Sequence, residues 1–197
     1  MKKYSLAIIV MMLISLMTQA SNEAYEKAML KELQTMKTAS GPEDLQKVAN
    51  GFARIAQMMP DEWLPEYYAA LALANAGFRT EGGPNAKDSL FEKAKKHAEK
   101  AAKISPNNSE VVALQGFITM GELAADPQSR GQHLSSQAMQ TFGKAVELNR
   151  QNPRAIMMLG QMELGMAQFF GQGPEKACGL INASLELFAK EEANLQE

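Results

Sequence analysis

The chain has 197 residues, of which 46% are apolar, and this composition excludes a largely disordered polymer while allowing one domain with a hydrophobic core. It carries 20 basic and 22 acidic residues, so its formal net charge is −2 at pH 7. This balance argues against nucleic acid as a partner, because binding a polyanion depends on clustered Lys and Arg. The one basic cluster, at 93–100, contains Glu99 and follows Glu92, so it predicts a solvated helix face.

The first 20 residues have the pattern of a secretory signal peptide. Lys2 and Lys3 precede an apolar run at 6–17, and the segment ends in the small residue Ala20. That run is shorter than the roughly 20 residues that a membrane-spanning helix needs, which disfavours an uncleaved anchor. We therefore expect a mature domain at 21–197, with a formal charge of about −4, no membrane span, and a periplasmic or secreted location in a bacterium.

The rest of the sequence consists of helix-length segments separated by Gly, Pro and Asn. No run of alternating β-branched residues suggests a strand, so the pattern predicts an all-α fold. Eight helices are predicted, in chain order, at 22–38, 42–58, 61–78, 87–104, 108–124, 132–149, 153–170 and 174–191.

An internal repeat relates these segments. The positions Ala94, Ala98 and Ala101 recur 44 residues later as Ala138, Phe142 and Ala145. An earlier copy and a later, weaker one contain Val48, Phe52 and Ile55, and Ala177, Ile181 and Ser184. Four copies fit, and each one spans a pair of helices.

The repeated unit resembles the tetratricopeptide repeat. Residues 94–108 are similar to its second helix and closing turn, and 138–153 are similar to another copy, with Arg150 where that turn usually has Pro. First-helix features also match at Tyr68, Leu71, Ala72, Val112, Gly116, Ile156, Leu159 and Gly160. The resemblance covers roughly 22–191 and is strongest from 65 to 160. It implies a right-handed α-solenoid of about four helix pairs that follows the signal peptide and holds a partner.

The resemblance also implies a concave face lined by the first helices, which would bind an extended peptide or a helix. The residues expected on this face are Glu66, Ala69, Leu73, Ala113, Phe117, Met120, Arg154, Met157 and Gln161. The paired Asn and Lys positions that relatives use to clamp a C-terminal carboxylate are missing, so we expect apolar anchoring of a protein or peptide partner. The function predicted on this basis is that of an exported scaffold.

The repeats here are longer than the family's usual length of about 34 residues. The extra residues fall within the helix pairs, at 80–87, 125–133 and 170–176, and would line one rim of the solenoid. They either form a second contact surface there or lengthen the second helices by a turn or two, and the sequence leaves both alternatives open.

Catalysis, a cofactor and a metal site are not expected. His97 and His133 lack partners at metal-ligand spacing, and Cys178 has no matching His and Asn arrangement. We expect His97 on an exposed helix face and Cys178 as a packed or weakly reactive thiol.

Three further interpretations of the sequence remain. Met158, Met162 and Met166 lie four residues apart on one helix, a spacing typical of a core or groove lining and, less often, of soft-metal capture. A Met-lined interior would also suit a small-molecule or fatty ligand. The main alternative to a scaffold is a homo-oligomeric structural component of an envelope assembly.

Overall fold

The computed structural model describes residues 22–194, and the predicted signal peptide at 1–20 lies outside this range. Within it the chain forms eight α-helices and no strand, as predicted. The helices are α1 (22–38), α2 (Pro42–Met58), α3 (Trp63–Arg79), α4 (Pro84–Ile104), α5 (Ser109–Ala125), α6 (Pro127–Leu148), α7 (Pro153–Phe170) and α8 (Glu175–Asn194). They stack as four pairs in an α-solenoid, and the first helices α3, α5 and α7 also contact one another. None of the helices between residues 22 and 194 has both the length and the apolarity needed to cross a membrane.

Local sequence signals set the helix starts. Proline occupies the first turn of four helices, where its missing amide donor costs nothing: Pro42, Pro84, Pro127 and Pro153. Asparagine caps α5 and α7. The Asn108 side chain accepts from the amide of Glu110 at 2.9 Å, and Asn152, which precedes Pro153, accepts from the amide of Ala155 at 3.0 Å. Helix α7 ends at Gly171, whose φ of 65° lies in the left-handed region that glycine adopts readily.

Two second helices begin earlier than the sequence predicts. Helix α4 begins at Pro84 instead of residue 87, and α6 begins at Pro127 instead of residue 132. The Asp126 side chain caps α6 by accepting from the amide of Ser129 at 3.3 Å, and the helix continues through Gly131. The extra residues at 80–87 and 125–133 therefore mainly lengthen the second helices.

The repeated small residues lie where helices cross, as predicted. Ala94, Ala98, Ala138 and Ala145 are fully buried, and so is Phe142, which stands where the earlier copy has Ala98. Small side chains allow helix backbones to approach closely, which holds neighbouring pairs together.

Large side chains from the second helices pack against glycines of the first helices. The ring of Phe91 on α4 lies against Gly77 and Gly121, and a Cβ added to Gly77 would stand 2.7 Å from that ring. In the third pair, Phe142 packs against Gly116 in the same manner, at 2.6 Å from an added Cβ. These glycines are needed because any side chain there would collide with a buried ring.

The hydrophobic core is more extensive in the N-terminal part of the array. One continuous cluster of buried residues extends from Met29 on α1 to Ile118 on α5. The last two pairs contain two smaller clusters, one around Ala145 and Ala155 and one around Phe142. The C-terminal part is therefore less completely filled.

Candidate functional site

Four of the residues predicted to line a concave groove are buried. Glu66, Ala69, Leu73 and Ala113 lie inside the protein because the first helices of neighbouring pairs contact each other on this side. The Glu66 carboxylate is also engaged, since it pairs with His97 and accepts from the Lys100 ammonium at 3.3 Å. A partner has no access to these four side chains. The expectation that His97 lies on an exposed face is also wrong, because it is half-buried against Glu66.

Arg154, a fifth predicted groove residue, is half-buried and fully engaged in ion pairs. Its Nε donates to both Glu110 carboxylate oxygens at 2.9 and 3.0 Å, and its terminal nitrogens donate to Glu191 at 2.9 and 3.0 Å. Burial disfavours the charged form, but the hydrogen bonds with Glu191 and Glu110 outweigh it and raise the pKa of Arg154 above its usual value. The guanidinium joins α5, α7 and α8 and is not a free cation for a ligand.

The remaining four predicted residues do not form one surface. Phe117 is half-buried, with its ring centroid 4.7 Å from that of Phe78, and Met157 is half-buried on α7. Phe117 and Met120 pack against the same buried cluster, and Met120 and Gln161 both line a cavity between α5, α6 and α7.

This cavity has a volume of about 790 Å³, within the roughly 300–1,000 Å³ typical of small-molecule sites. The C-terminal part of α5, the N-terminal part of α6 and the C-terminal half of α7 enclose it. Its floor consists of Met120, Leu123, Met162 and Met166. Met162 is buried against Phe142, so the predicted methionine stripe contributes both to the core and to the cavity lining.

Every polar side chain that lines the cavity is neutral. Gln128, Gln132 and Ser135 occupy successive turns of α6, and Gln161 faces them from α7. No charged residue is among the lining residues. The site can therefore offer amide and hydroxyl hydrogen bonds, but no ion pair.

Two aromatic rings at the rim of the cavity are exposed. Phe169 is 83% exposed and Phe170 is 60% exposed, and their ring centroids lie 5.1 Å apart in an edge-to-face arrangement. They form the last turn of α7, ahead of Gly171. Because these two rings lie next to each other at an apolar cavity, they make the rim a candidate interaction site.

The predicted rim and the cavity coincide. The extra residues at 125–133 contribute Pro127, Gln128, Gly131 and Gln132 to the cavity lining, and Phe170 belongs to the segment 170–176. The two alternatives for the extra residues are thus compatible, because the lengthened helix α6 itself forms a wall of the site. The Phe169–Phe170 pair was not among the residues predicted for a site.

A second, polar pocket of about 480 Å³ is lined by residues of α4, α5 and α6 and contains His133. Here the Arg130 guanidinium donates to the Asp88 carboxylate at 2.6 and 2.7 Å. These hydrogen bonds lower the pKa of Asp88 below its ordinary value. Over residues 22–194 no group of three or more His, Cys, Asp or Glu side chains is arranged to hold a metal ion, and the Cys178 thiol is exposed on α8.

The fold and the cavity define a helical-repeat protein with an uncharged, largely apolar site of small-molecule size. No protein-family model matches the chain, and no curated sequence resembles it closely. Among solved structures it is similar to the HusA haemophore from Porphyromonas gingivalis, with a TM-score of 0.75 and 27% identity over 84% of this chain and 81% of that one.

Two structures of MamA also match over most of their length. A double mutant of the RS-1 protein covers 85% of this chain and 96% of its own, with 17% identity and a TM-score of 0.37. A form from Desulfovibrio magneticus RS-1 covers 84% and 96%, with 15% identity and a TM-score of 0.35. These TM-scores are too low to support a functional comparison.

Proposed function

We propose that this protein binds a porphyrin-type ligand, such as haem, in the cavity between α5, α6 and α7, and that it carries out no catalysis. The observation that carries the proposal is the combination of an uncharged cavity of about 790 Å³ with two exposed phenylalanines at its rim. The similarity to HusA, which is described as a haemophore, supports the same ligand class. The signal-like segment at 1–20 supports an exported carrier.

The chemistry of the lining suits a large, flat, apolar molecule. Burying such a ligand gains roughly 25 cal/mol for each Å² of apolar surface removed from water. Aromatic contacts with Phe169 and Phe170 would add about 0.5–1.5 kcal/mol each beyond that burial. The methionines of the floor adapt to an irregular ligand edge because their side chains are flexible and polarisable.

The residues that line the cavity also indicate how much the haem iron contributes to the binding free energy. Haem iron in proteins is held by His, Cys, Met or Tyr side chains. Of these types, only the methionines Met120, Met162 and Met166 line the cavity. The macrocycle therefore supplies most of the binding free energy, and metal-free protoporphyrin IX is expected to bind about as well as haem.

Titration of the purified mature protein tests this proposal. We expect haemin and protoporphyrin IX each to give a saturable shift of the Soret band. Replacing both rim residues, F169A with F170A, should weaken binding about tenfold or more through the lost aromatic contacts. The matched control is L185A, which removes an exposed apolar side chain from α8 that does not line the cavity.

Two results would refute the proposal. One is a titration of the unaltered protein without a saturable Soret shift. The other is a double variant at Phe169 and Phe170 that binds with unchanged affinity. Loss of binding in L185A would point to a general loss of fold instead.

A protein or peptide partner on the concave face is the second candidate, and the helical-repeat architecture supports it. The part of the predicted face that is not buried consists of Phe117, Met120, Arg154, Met157 and Gln161. Of these, Arg154 is already paired, and Met120 and Gln161 line the cavity. Replacing Met157 with Glu should abolish partner capture in envelope crosslinking without affecting porphyrin binding. The alternative of a homo-oligomer is tested by light scattering, where a stable dimer would support it.

A further inference from the structure

The cavity occupies a place where the preceding repeat holds an aromatic ring. With the spacing of 44 residues, Ser135 on α6 corresponds to Phe91 on α4. The Phe91 side chain is buried, and its ring lies between Gly77 on α3 and Gly121 on α5. Ser135 has no ring to place at the equivalent position, and it lines the cavity instead.

A series of glycines indicates the same vacancy. Gly77, Gly121 and Gly165 are each 44 residues apart and lie on α3, α5 and α7. A Cβ added to either of the first two would collide with the Phe91 ring. A Cβ added to Gly165 would meet no atom within 4 Å, and Gly165 lines the cavity. The third glycine therefore has the space for a ring but no ring in it.

An aromatic ring fills only part of the interface between the third and fourth helix pairs. Its large aromatic residue is Phe142, two turns beyond Ser135 on α6, where it packs against Gly116. This ring fills the middle of the interface between the last two pairs and leaves open the end near the C-terminus of α7. The cavity thus lies where the second pair has the Phe91 ring and the third pair has Ser135 instead.

We propose that the flat ring of the ligand occupies this vacancy, lying against the backbone at Gly165 as Phe91 lies against Gly77 and Gly121. This inference rests on the proposed function and assigns Ser135 and Gly165 as the residues that determine ligand shape. A helix-interior glycine is less favourable for the fold than alanine, and no atom within 4 Å of an added Cβ requires a glycine at 165. Gly143 on α6 is equally unconstrained but does not line the cavity, and it serves as a control position.

A slot of this kind selects for thin ligands. On this proposal a planar porphyrin lies between α6 and α7, where a substituent projecting from its plane would meet the side chains of those helices. We therefore expect N-methylprotoporphyrin, whose methyl group projects from the macrocycle, to bind more weakly than protoporphyrin IX.

The decisive variant is S135F, which restores the missing ring. We expect it to raise the melting temperature, because the new ring fills an apolar cavity, and to weaken protoporphyrin IX binding by about tenfold or more. The conservative variant S135A keeps the vacancy and should bind within about twofold of the unaltered protein. In a matched pair, G165A and G143A should both stabilise the helices, but only G165A should weaken binding.

The outcomes separate this inference from the function on which it rests. If the unaltered protein binds protoporphyrin IX and S135F binds it equally well, the ring vacancy is not the binding position. If S135F fails to fold, the G165A variant provides the test, because its added methyl group meets open space and should not disturb the fold. Unchanged affinity of G165A for protoporphyrin IX would overturn the inference. If the unaltered protein binds no porphyrin, the proposed function fails, and the assignment of Ser135 and Gly165 fails with it.

Discussion

The side-chain amide of Asn152 donates a hydrogen bond to the Oγ of Ser109 over 2.8 Å, and so joins the start of α7 to the start of α5. Ser109 in turn donates to the backbone carbonyl of Ala145 on α6 at 2.7 Å. Both side chains are buried. Three helices therefore converge on one buried polar pair, at the end of α7 opposite to the cavity.

Replacing Ser109 with Ala should lower the free energy of unfolding by about 1–3 kcal/mol. The change leaves the buried Asn152 amide without its acceptor and the Ala145 carbonyl without this donor. Urea denaturation measures the effect. The control T35A removes an exposed hydroxyl that bonds only to its own helix, and should change stability little. Equal stability of S109A and the unaltered protein would show that the buried pair is not required.

Two glycine substitutions should have opposite effects on stability. In G116A the added Cβ would stand 2.6 Å from the Phe142 ring, so we expect a loss of about 1–3 kcal/mol from overpacking. In G143A the Cβ meets open space, and the better helix propensity of alanine should stabilise by up to about 1 kcal/mol. Thermal unfolding of both variants measures the direction of each change in stability. Destabilisation by G143A would contradict this account of how the helices pack at their glycines.

Porphyrin binding should depend only weakly on ionic strength. No charged side chain lines the cavity, so there is no ion pair for salt to screen. We expect the affinity to change less than about threefold between low salt and roughly 1 M NaCl, where the screening length is near 3 Å. A steep decrease in affinity with salt would place the ligand carboxylates against Lys or Arg, outside this cavity.

The ion pair between Asp88 and Arg130 should contribute stability that depends on pH. Because hydrogen bonds from Arg130 lower the pKa of Asp88 below its ordinary value of 3.8, the contribution is present above that value and is lost as the pH falls through the lowered one. D88N should therefore melt at a lower temperature than the unaltered protein at pH 7.

The difference between D88N and the unaltered protein should disappear in strong acid. The control is E92Q, which breaks an exposed pair with Lys96 in the same helix and should have a smaller effect at every pH. A difference that persists below the lowered pKa of Asp88 would mean that the carboxylate charge is not the cause.

The fold was largely predictable from the sequence, since its strongest signals are local or periodic. Proline and asparagine mark the helix starts, and the alanines spaced by 44 residues mark the crossings. The predicted start of α6 was late because Gly131 and its polar neighbours resemble a loop. The cap at Asp126 and the proline at 127 favour an earlier start, and together they outweigh this loop-like composition.

The site was less predictable, because a cavity is defined by side chains that are absent. The family pattern placed the binding residues on the first helices, but contacts between those helices bury Ala69 and Ala113. A comparison of Phe91 with Ser135 across the repeat would have indicated the vacancy. The Phe169–Phe170 pair was also visible, at a position where the previous repeat has Ala125 and Asp126.

The uneven core has a consequence for how the molecule opens. In a linear array each pair is stabilised mainly by its neighbours, so the last pair, α7 and α8, has support on one side only. Its amide hydrogens should exchange with solvent sooner than those of α3 and α4, which belong to the continuous cluster. We therefore expect ligand binding to slow amide exchange most strongly at the C-terminal end, because α7 belongs to the last pair and also lines the cavity.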